Sequence, residues 1–255
     1  VLPHTHKFAE EWSKDETHHW KASTCGHADA ETKAEHVFGE PVEVKEGTVY
    51  PEFMNCLVDP FPIPKDWLRI YGFDKGWSDA TCLICGAIDP QGVCYIYDEY
   101  YETEKPITYH GRRVKEKISD FKMYKSIQAD PSVRNKSDRD GVSYQDYFFQ
   151  TSGVWLAEAN NNIIDGIDRT RDFMYNGKLK FFTSCVNLKE EAGNYVWKKN
   201  KDGFTEDIPV DRFNHLMDAL RYLCMGLPLD LKDCYMSESI LDVTKETIMD
   251  RIRPD

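Results

Sequence analysis

The chain has 255 residues, of which 41% are hydrophobic and 13% aromatic, a composition that excludes a disordered protein and supplies one sizeable core. No apolar run approaches the roughly 18 residues of a membrane-spanning helix, and the first residues lack a signal-peptide pattern, so a soluble, cytoplasmic protein is expected. The formal net charge of −12 excludes a protein whose whole surface binds nucleic acid, because phosphates attract positive charge.

Residues 1–66 have the features of an N-terminal arm or linker, the end of a preceding domain. Residues 1–40 are polar, with helical spacing over 28–36 and a stop at residue 39, and the five prolines of residues 41–66 predict an extended connector. Metal-capable side chains occur here at spacings that match no zinc module: His4, His6, His18, His19, Cys25, His27 and His36. A metal-free surface is the favoured interpretation of this cluster.

A three-stranded meander is predicted from residue 67 onward. Residues 67–74 form an apolar run that ends at Asp74, and residues 80–88 and 93–101 are rich in β-formers. The sequence Asp89-Pro-Gln-Gly92 between the last two runs is a turn signal. The three runs therefore predict three consecutive strands of one sheet.

Helices and strands alternate after the meander. Helical spacing occurs over 107–121, 144–150, 163–175, around residue 188 and over 211–225, where Asp211 is the predicted N-cap. Short strands are predicted over 124–129, 153–157 and 178–182, and a hairpin has its tip at 201–203. This order predicts an α/β fold, a mixed sheet with helices on both faces. In it, the strand ending at Asp130 lies beside the strand ending at Asp74.

Eight cysteines are scattered along the chain, several of them inside apolar runs. This distribution favours reduced thiols that pack as small buried hydrophobes over a disulfide framework. The spacing Cys82-x-x-Cys85 also invites interpretation as part of a zinc site. It falls in the middle of a predicted strand, where alternation directs the two thiols to opposite faces, so core cysteines are the favoured interpretation.

Three aspartates and one histidine form the candidate site. Asp74 and Asp130 each close an apolar strand, and Asp218 lies on the last helix, near His215. Each alone has an ordinary explanation, as a turn at a strand end or a surface ion pair. Together they predict a carboxylate site, because two Mg²⁺ ions that cleave a phosphodiester need oxygen ligands and remove the repulsion between neighbouring acids.

A locally basic stretch interrupts the acidic chain. Residues 105–139 hold ten Lys or Arg and four acids, which suits a track for phosphates. The candidate DNA contacts in this stretch are Arg112, Arg113, Lys117, Arg134 and Lys136. A charge-rich helix face that is merely solvated is the common alternative, and the sequence leaves both open.

Four segments resemble the C-terminal nuclease domain of a bacteriophage large terminase subunit, the motor protein that packages viral DNA. They are Gly72-Phe-Asp-Lys-Gly76, Tyr97-Asp-Glu-Tyr-Tyr101, Ala129-Asp-Pro-Ser132 and His215-Leu-Met-Asp-Ala-Leu-Arg-Tyr222. Upstream, residues 38–41 and 46–53 resemble the linker that these proteins place before the nuclease. The likeness covers residues 38–226, and the combination of the last two segments is its most specific part.

The resemblance implies a ribonuclease-H-like nuclease domain over residues 67–226, preceded by the arm over 1–66 and followed by an unassigned tail over 227–255. It implies that Asp74, Asp130 and Asp218 bind two Mg²⁺ or Mn²⁺ ions, that His215 lies near them, and that Asp79 is an auxiliary acid. The implied activity is metal-dependent endonucleolytic cleavage of concatemeric double-stranded DNA in the host-cell cytoplasm.

The implied partners, besides DNA, are an ATPase domain that precedes residue 1, the small terminase subunit and the portal protein. Two alternatives remain open. One is another nuclease of the ribonuclease H fold, such as a junction resolvase or a transposase core. The other is a non-catalytic structural or motor module whose acids bind no catalytic metal.

Overall fold

The computed structural model describes residues 45–76, 79–118, 122–138 and 140–236, together with the backbone of four short strands outside these ranges. The chain divides into two compact units, Val1–Pro41 and Val42–Asp255. In the first unit, β1 (Phe8–Lys14), β2 (His18–Ser23) and β3 (Lys33–Glu35) form an antiparallel sheet in that order.

The helix predicted over residues 28–36 is wrong where the structure describes it, because residues 33–35 form strand β3 and pair with β2. The backbone hydrogen bonds of a sheet ladder override the helical preference of three residues. Most of the predicted metal-capable cluster lies outside the described residues, namely His4, His6, Cys25, His27 and His36. Of His18 and His19 only the backbone is described.

The second unit contains eleven described strands and five described α-helices. The strands are β4 (Leu57–Val58), β5 (Leu68–Asp74), β6 (Thr81–Ile88), β7 (Cys94–Glu102), β8 (Lys122–Met123), β9 (Ile127–Ala129), β10 (Leu156–Glu158), β11 (Leu179–Phe182), β12 (Trp197–Lys199), β13 (Thr205–Pro209) and β14 (Leu241–Asp242). The helices are α1 (Ile107–Ile118), α2 (Tyr144–Ser152), α3 (Ile163–Tyr175), α4 (Val186–Asn194) and α5 (His215–Met225). Among the residues described, no helix has the length and apolarity to cross a bilayer.

A mixed sheet organises the second unit. Its main strands lie in the order β10-β9-β5-β6-β7-β11-β4, and off this path β8 pairs with β5 and β14 pairs with β8. The predicted meander β5-β6-β7 is confirmed as antiparallel, and the outer neighbours β9 and β11 pair with it in parallel. The turn between β6 and β7 forms as expected, since the Asp89 side chain accepts a hydrogen bond from the Val93 N–H at 2.8 Å. The predicted neighbours β5 and β9 are also adjacent.

Helices cover both faces of this sheet, as the sequence predicts. Helices α3, α4 and α5 pack in the larger core on one face, and α1 and α2 pack in the smaller core on the other. Alternation along β5 divides its side chains between them, with Leu68 and Ile70 in the larger core and Tyr71 in the smaller. Cys82 and Cys85 divide in the same way and are free, buried thiols, which confirms them as core cysteines.

The core is wider than the predicted span of 67–226. Val49, Tyr50, Phe53 and Cys56 are buried in it, and β4 pairs with β11, so much of the predicted connector belongs to the second unit. At the other end Leu227, Leu231 and Cys234 are buried in the same core. Prolines interrupt regular structure but leave the apolar residues between them free to pack, which explains why the connector pattern misplaced the boundary.

Gly72 of β5 allows helix α5 to lie directly on the sheet. A Cβ added at Gly72 would sit 1.9 Å from the backbone oxygen of Ala219 in α5. We expect Gly72→Ala to lower the free energy of unfolding by about 3 kcal/mol or more, because the helix must move off the strand. Gly47→Ala is the control, since Gly47 has open space around it and a φ of 80°, and costs about 1 kcal/mol. Urea denaturation compares the two, and equal losses would contradict the close contact.

Candidate active site

Strand alternation brings the two strand-end acids to the face covered by α5. In β5, Ile70 lies in the core that contains α5, so Asp74, four residues later, has the same orientation. In β9, Ile127 and Ala129 lie in the opposite core, so Asp130 also turns toward α5. The Tyr222 hydroxyl of α5 donates to Asp130 Oδ2 at 2.8 Å, in agreement with this orientation.

Helix α5 begins at His215, with Asn214 as its N-cap residue, so the predicted N-cap at Asp211 is wrong. The Asn214 side chain makes no capping hydrogen bond to the helix backbone. A carboxylate from α4 takes this role instead, because Glu191 Oε2 accepts from the Leu216 N–H at 2.7 Å. Negative charge at a helix N-terminus is favourable. The residue before the N-cap, Phe213, has a strained φ of 55°.

Asp130 and Asp218 are joined by a chain of hydrogen bonds through Arg221 and Asn161. Arg221 Nη2 donates to Asp218 Oδ1 and to Asn161 Oδ1, both at 3.0 Å. The Asn161 amide in turn donates to Asp130 Oδ2 at 3.1 Å. These hydrogen bonds connect helix α5, the loop before α3 and the end of β9, so they hold the two acids at a defined separation.

Arg221 is a buried charge, with only 2% of its surface exposed. Its guanidinium lies 4.6 Å from the centre of the Tyr222 ring and pairs with Asp218. Gly166 of α3 provides the space, because a Cβ there would lie 2.4 Å from Arg221 Cγ. The buried guanidinium offsets part of the negative charge of Asp218.

Asp74 carries the most perturbed carboxyl among the three aspartates. Burial, together with the charges of Asp218 and Asp130, raises the pKa of Asp74 to about 6, although His215 opposes this. The His215 Nδ1 atom lies 3.5 Å from Asp74 Oδ2, and this contact raises the pKa of His215. The charges of Asp218 and Asp130 therefore act on the pKa of Asp74 in the same direction as burial does.

The other two aspartates differ in how their charges are stabilised. Burial raises the pKa of Asp218, although Arg221 opposes the shift. Burial acts in the same direction on Asp130, but hydrogen bonds from Ser132 and Tyr222 outweigh it and hold the pKa of Asp130 below its usual range. Asp130 therefore stays ionised at a lower pH than its partners.

The donor set suits a hard divalent cation. The carboxylates of Asp74, Asp130 and Asp218 are oxygen donors of the kind that Mg²⁺ and Mn²⁺ prefer, and a cation bound beside Asp74 would offset the burial and the repulsion that together raise its pKa. In the part of the chain that the structure describes, no three His, Cys, Asp or Glu side chains are grouped closely enough to hold a metal ion. The Asp130 and Asp218 oxygens are engaged by Tyr222 and Arg221.

Asp79 and the basic residues lie at the margin of this site or beyond it. Asp79 is exposed in the loop after β5, and its charge contributes to the raised pKa of His215. Three of the predicted DNA contacts form ion pairs within the protein, Lys117 with Asp98, Arg113 with Glu116 and Arg134 with Glu158. Arg112 lies over the Tyr109 ring. Lys136 is exposed and forms no ion pair with any described residue.

Sequence reasoning missed Glu191 and Asn161. Asn161 lies in the run of residues 160–162, three consecutive asparagines that follow a predicted strand, which is a signal for a polar loop near a strand end. Glu191 has no such signal, because it lies in an ordinary polar helix. Its role depends on α4 packing near the start of α5, and burial raises the pKa of this carboxyl to about 7.

Comparison with solved structures gives consistent matches to one class of protein. The large terminase of a thermophilic bacteriophage, solved in complex with ADP, matches 70% of this chain at 22% identity and a TM-score of 0.58. The nuclease domain of the P22 large terminase matches 71% of this chain and 92% of its own length, at 20% identity and a TM-score of 0.55. This chain has the fold of a terminase nuclease domain.

A third match is the large terminase nuclease from the thermophilic phage G20c with bound cobalt, at 12% identity and a TM-score of 0.53, over 71% of this chain and 97% of that one. The expected ribonuclease-H-like fold is thereby confirmed. This chain spans 44% of the ADP-bound terminase. No protein-family profile and no curated protein matches its sequence.

Proposed function

We propose that this chain is the metal-dependent endonuclease domain of a viral DNA-packaging terminase, which cleaves concatemeric double-stranded DNA. The observation that carries the proposal is that one helix meets all three aspartates, because α5 carries Asp218, its His215 lies 3.5 Å from Asp74, and its Tyr222 donates a hydrogen bond to Asp130. The fold match supports it, since the terminase nuclease domains of SPP1 and G20c are solved with bound manganese and cobalt.

The chain's own residues hold and orient the proposed ligands. Asp74, Asp130 and Asp218 would hold two Mg²⁺ or Mn²⁺ ions, and such ions would supply activation of a water and stabilisation of the leaving oxygen. Tyr222 orients Asp130, Arg221 orients Asp218, and His215 orients Asp74. His215, whose pKa is raised by its contact with Asp74, is also proposed to hold a proton beside that carboxyl.

The proposed partners follow from the terminase fold. The chain spans less than half of the ADP-bound terminase, so we infer that an ATPase domain delivers DNA to this site, with the small terminase subunit and the portal protein as further partners in the host cytoplasm. Lys136 and Arg134, which follow Asp130 closely in sequence, are the proposed contacts to the DNA backbone nearest the site, and Arg112, Arg113 and Lys117 the more distant ones.

Plasmid cleavage tests the proposed activity. Supercoiled plasmid incubated with the protein and Mg²⁺ or Mn²⁺ is expected to become nicked and linear, whereas EDTA abolishes the reaction. Four-way junctions and linear duplex are compared in parallel. No cleavage under any metal condition would indicate a structural module instead, and a strong preference for junctions would indicate a resolvase.

A further inference from the structure

A cavity of about 580 Å³ opens just beyond the end of β5, where Gly76 lines it two residues after Asp74. It is bounded by the segment that leads into α1, the loop over residues 135–143 and the start of α2. Besides one acid, Asp140, its lining combines two cations, Lys105 and Lys136, with two aromatic rings, Tyr144 and Tyr147. Within the described part of the chain, none of these four residues is used by the site of Asp74, Asp130 and Asp218.

Two segments that line this cavity begin a few residues after Asp74 and Asp130 in the sequence. Gly76, which lines it, is two residues after Asp74, and the intervening Lys75 lies over the Tyr144 ring at 5.6 Å. Lys136 lies just beyond the short 3₁₀ turn that follows Asp130. Two residues of extended chain span at most about 7 Å, so the cavity wall at Gly76 lies close to the end of β5 at Asp74.

The lining has the chemistry of a nucleotide site. Tyr147 keeps 42% of its surface exposed although it is a large aromatic residue, and an exposed ring beside lysines suits a stacked base with its phosphate. The Tyr144 ring forms part of the wall beside Lys75, whose ammonium lies 5.6 Å from the ring centre. A base that remains paired inside a duplex cannot reach such a pocket, because it must first leave the stack.

We propose that this cavity binds one unpaired nucleotide of the DNA strand next to the cleavage position, with its base on Tyr147 and its phosphate near Lys105 and Lys136. This inference rests on the proposed nuclease function. The proposal predicts that the protein prefers DNA whose strands are locally separated, such as a single-stranded end.

Binding without metal tests this proposal independently of cleavage. Fluorescence anisotropy in EDTA compares a blunt duplex with the same duplex carrying a three-nucleotide overhang, and with free dAMP and ATP. The overhang duplex is expected to bind more tightly than the blunt one. Tyr147→Ala should weaken binding of the overhang duplex on the order of tenfold and leave the blunt duplex unchanged, whereas Tyr147→Phe should retain the preference.

Matched controls separate the pocket from general effects. Tyr175→Ala removes an equally large ring that is 82% exposed elsewhere, and Lys201→Ala removes an exposed charge at the hairpin tip. Neither should alter the overhang preference, whereas Lys136→Ala should reduce the salt dependence of overhang binding. Circular dichroism verifies that each variant is folded.

The binding results decide between a pocket for a DNA strand and one for a free nucleotide, and they test the pocket separately from the nuclease function. Equal affinity for blunt and overhang duplexes, or an equal effect of Tyr147→Ala on both, would overturn the proposal. Binding of dAMP or ATP that depends on Tyr147, without an overhang preference, would overturn the strand assignment in favour of a free nucleotide. Tyr147-dependent overhang binding by a protein that never cleaves plasmid would support the pocket while contradicting the nuclease function.

Discussion

Asn substitution at Asp74, Asp130 or Asp218 is expected to lower metal-dependent plasmid cleavage by about a thousandfold or more, equivalent to about 4 kcal/mol of transition-state stabilisation. Asn retains the shape of Asp but removes the negative charge on which metal binding depends. The proposed mechanism needs all three acids together, so the triple variant should be little worse than any single one. Initial rates of plasmid nicking in Mn²⁺ measure the effect.

Asp202→Asn is the matched control, because Asp202 is exposed at the tip of the β12–β13 hairpin. It should cleave at the wild-type rate. Thermal unfolding of each variant separates lost chemistry from lost structure. Cleavage that survives in all three single variants would show that the metal site is assigned to the wrong residues.

Asp74→Asn is expected to have a second effect, a gain of stability in the metal-free protein at pH 7.5. The pKa of Asp74 in the folded chain is about 6, against an ordinary value of 3.8. A carboxyl whose pKa is higher in the folded than in the unfolded chain stabilises the fold while it is protonated. This contribution is fully present below about pH 4 and is lost as the pH rises through about 6. Above pH 7 the ionised carboxyl therefore costs up to about 3 kcal/mol.

Loss of the contact between Asp74 and His215 offsets part of this gain, so we expect an increase of about 1–3 kcal/mol in the free energy of unfolding. Urea denaturation in EDTA at pH 7.5 and at pH 4 measures it, and the two proteins should differ little at the lower pH. A variant that is less stable than wild type at pH 7.5 would contradict the cost assigned to the buried charge.

Metal is expected to reverse the ranking of the two proteins. Mn²⁺ at a hundred times its dissociation constant should stabilise the wild type by about 2.7 kcal/mol at pH 7.5, and should stabilise Asp74→Asn far less. The stabilisation of the wild type should fade as the pH falls through about 6, because protons then compete with metal for Asp74. Equal stabilisation of both proteins would exclude Asp74 as a ligand.

The spacing of apolar and turn residues was sufficient to predict the central strands of the sheet and helix α3. Strands β5, β6 and β7 are apolar runs separated by strong turn residues, and α3 has a clear helical period with a polar stop, so their predicted positions agree with the structure to within a residue or two. Short segments were less predictable. Residues 33–35 form a strand through pairing with β2, and 57–58 form one through pairing with β11, and neither pairing is encoded within the segment itself.

In the candidate site, too, some residues could be predicted from the local sequence and others could not. Asp74 and Asp130 were identifiable because each ends an apolar strand, and Asp218 because it lies on a strongly amphipathic helix. Their surroundings were not identifiable, because Glu191 caps α5 from another helix and Asn161 reaches Asp130 from a loop 31 residues away. Contacts of this kind arise only when distant segments pack together.

By itself the sequence determined the α/β order, the meander and the three aspartates, since these depend on the spacing of apolar residues and on which residues end each strand. Only the tertiary structure decided that the connector and the start of the tail belong to the core. It also decided how Arg221 and Asn161 link Asp218 to Asp130 and that a cavity adjoins Asp74. These features depend on packing, because the absence of a side chain at Gly72 and Gly166 allows Ala219 and Arg221 to approach closely.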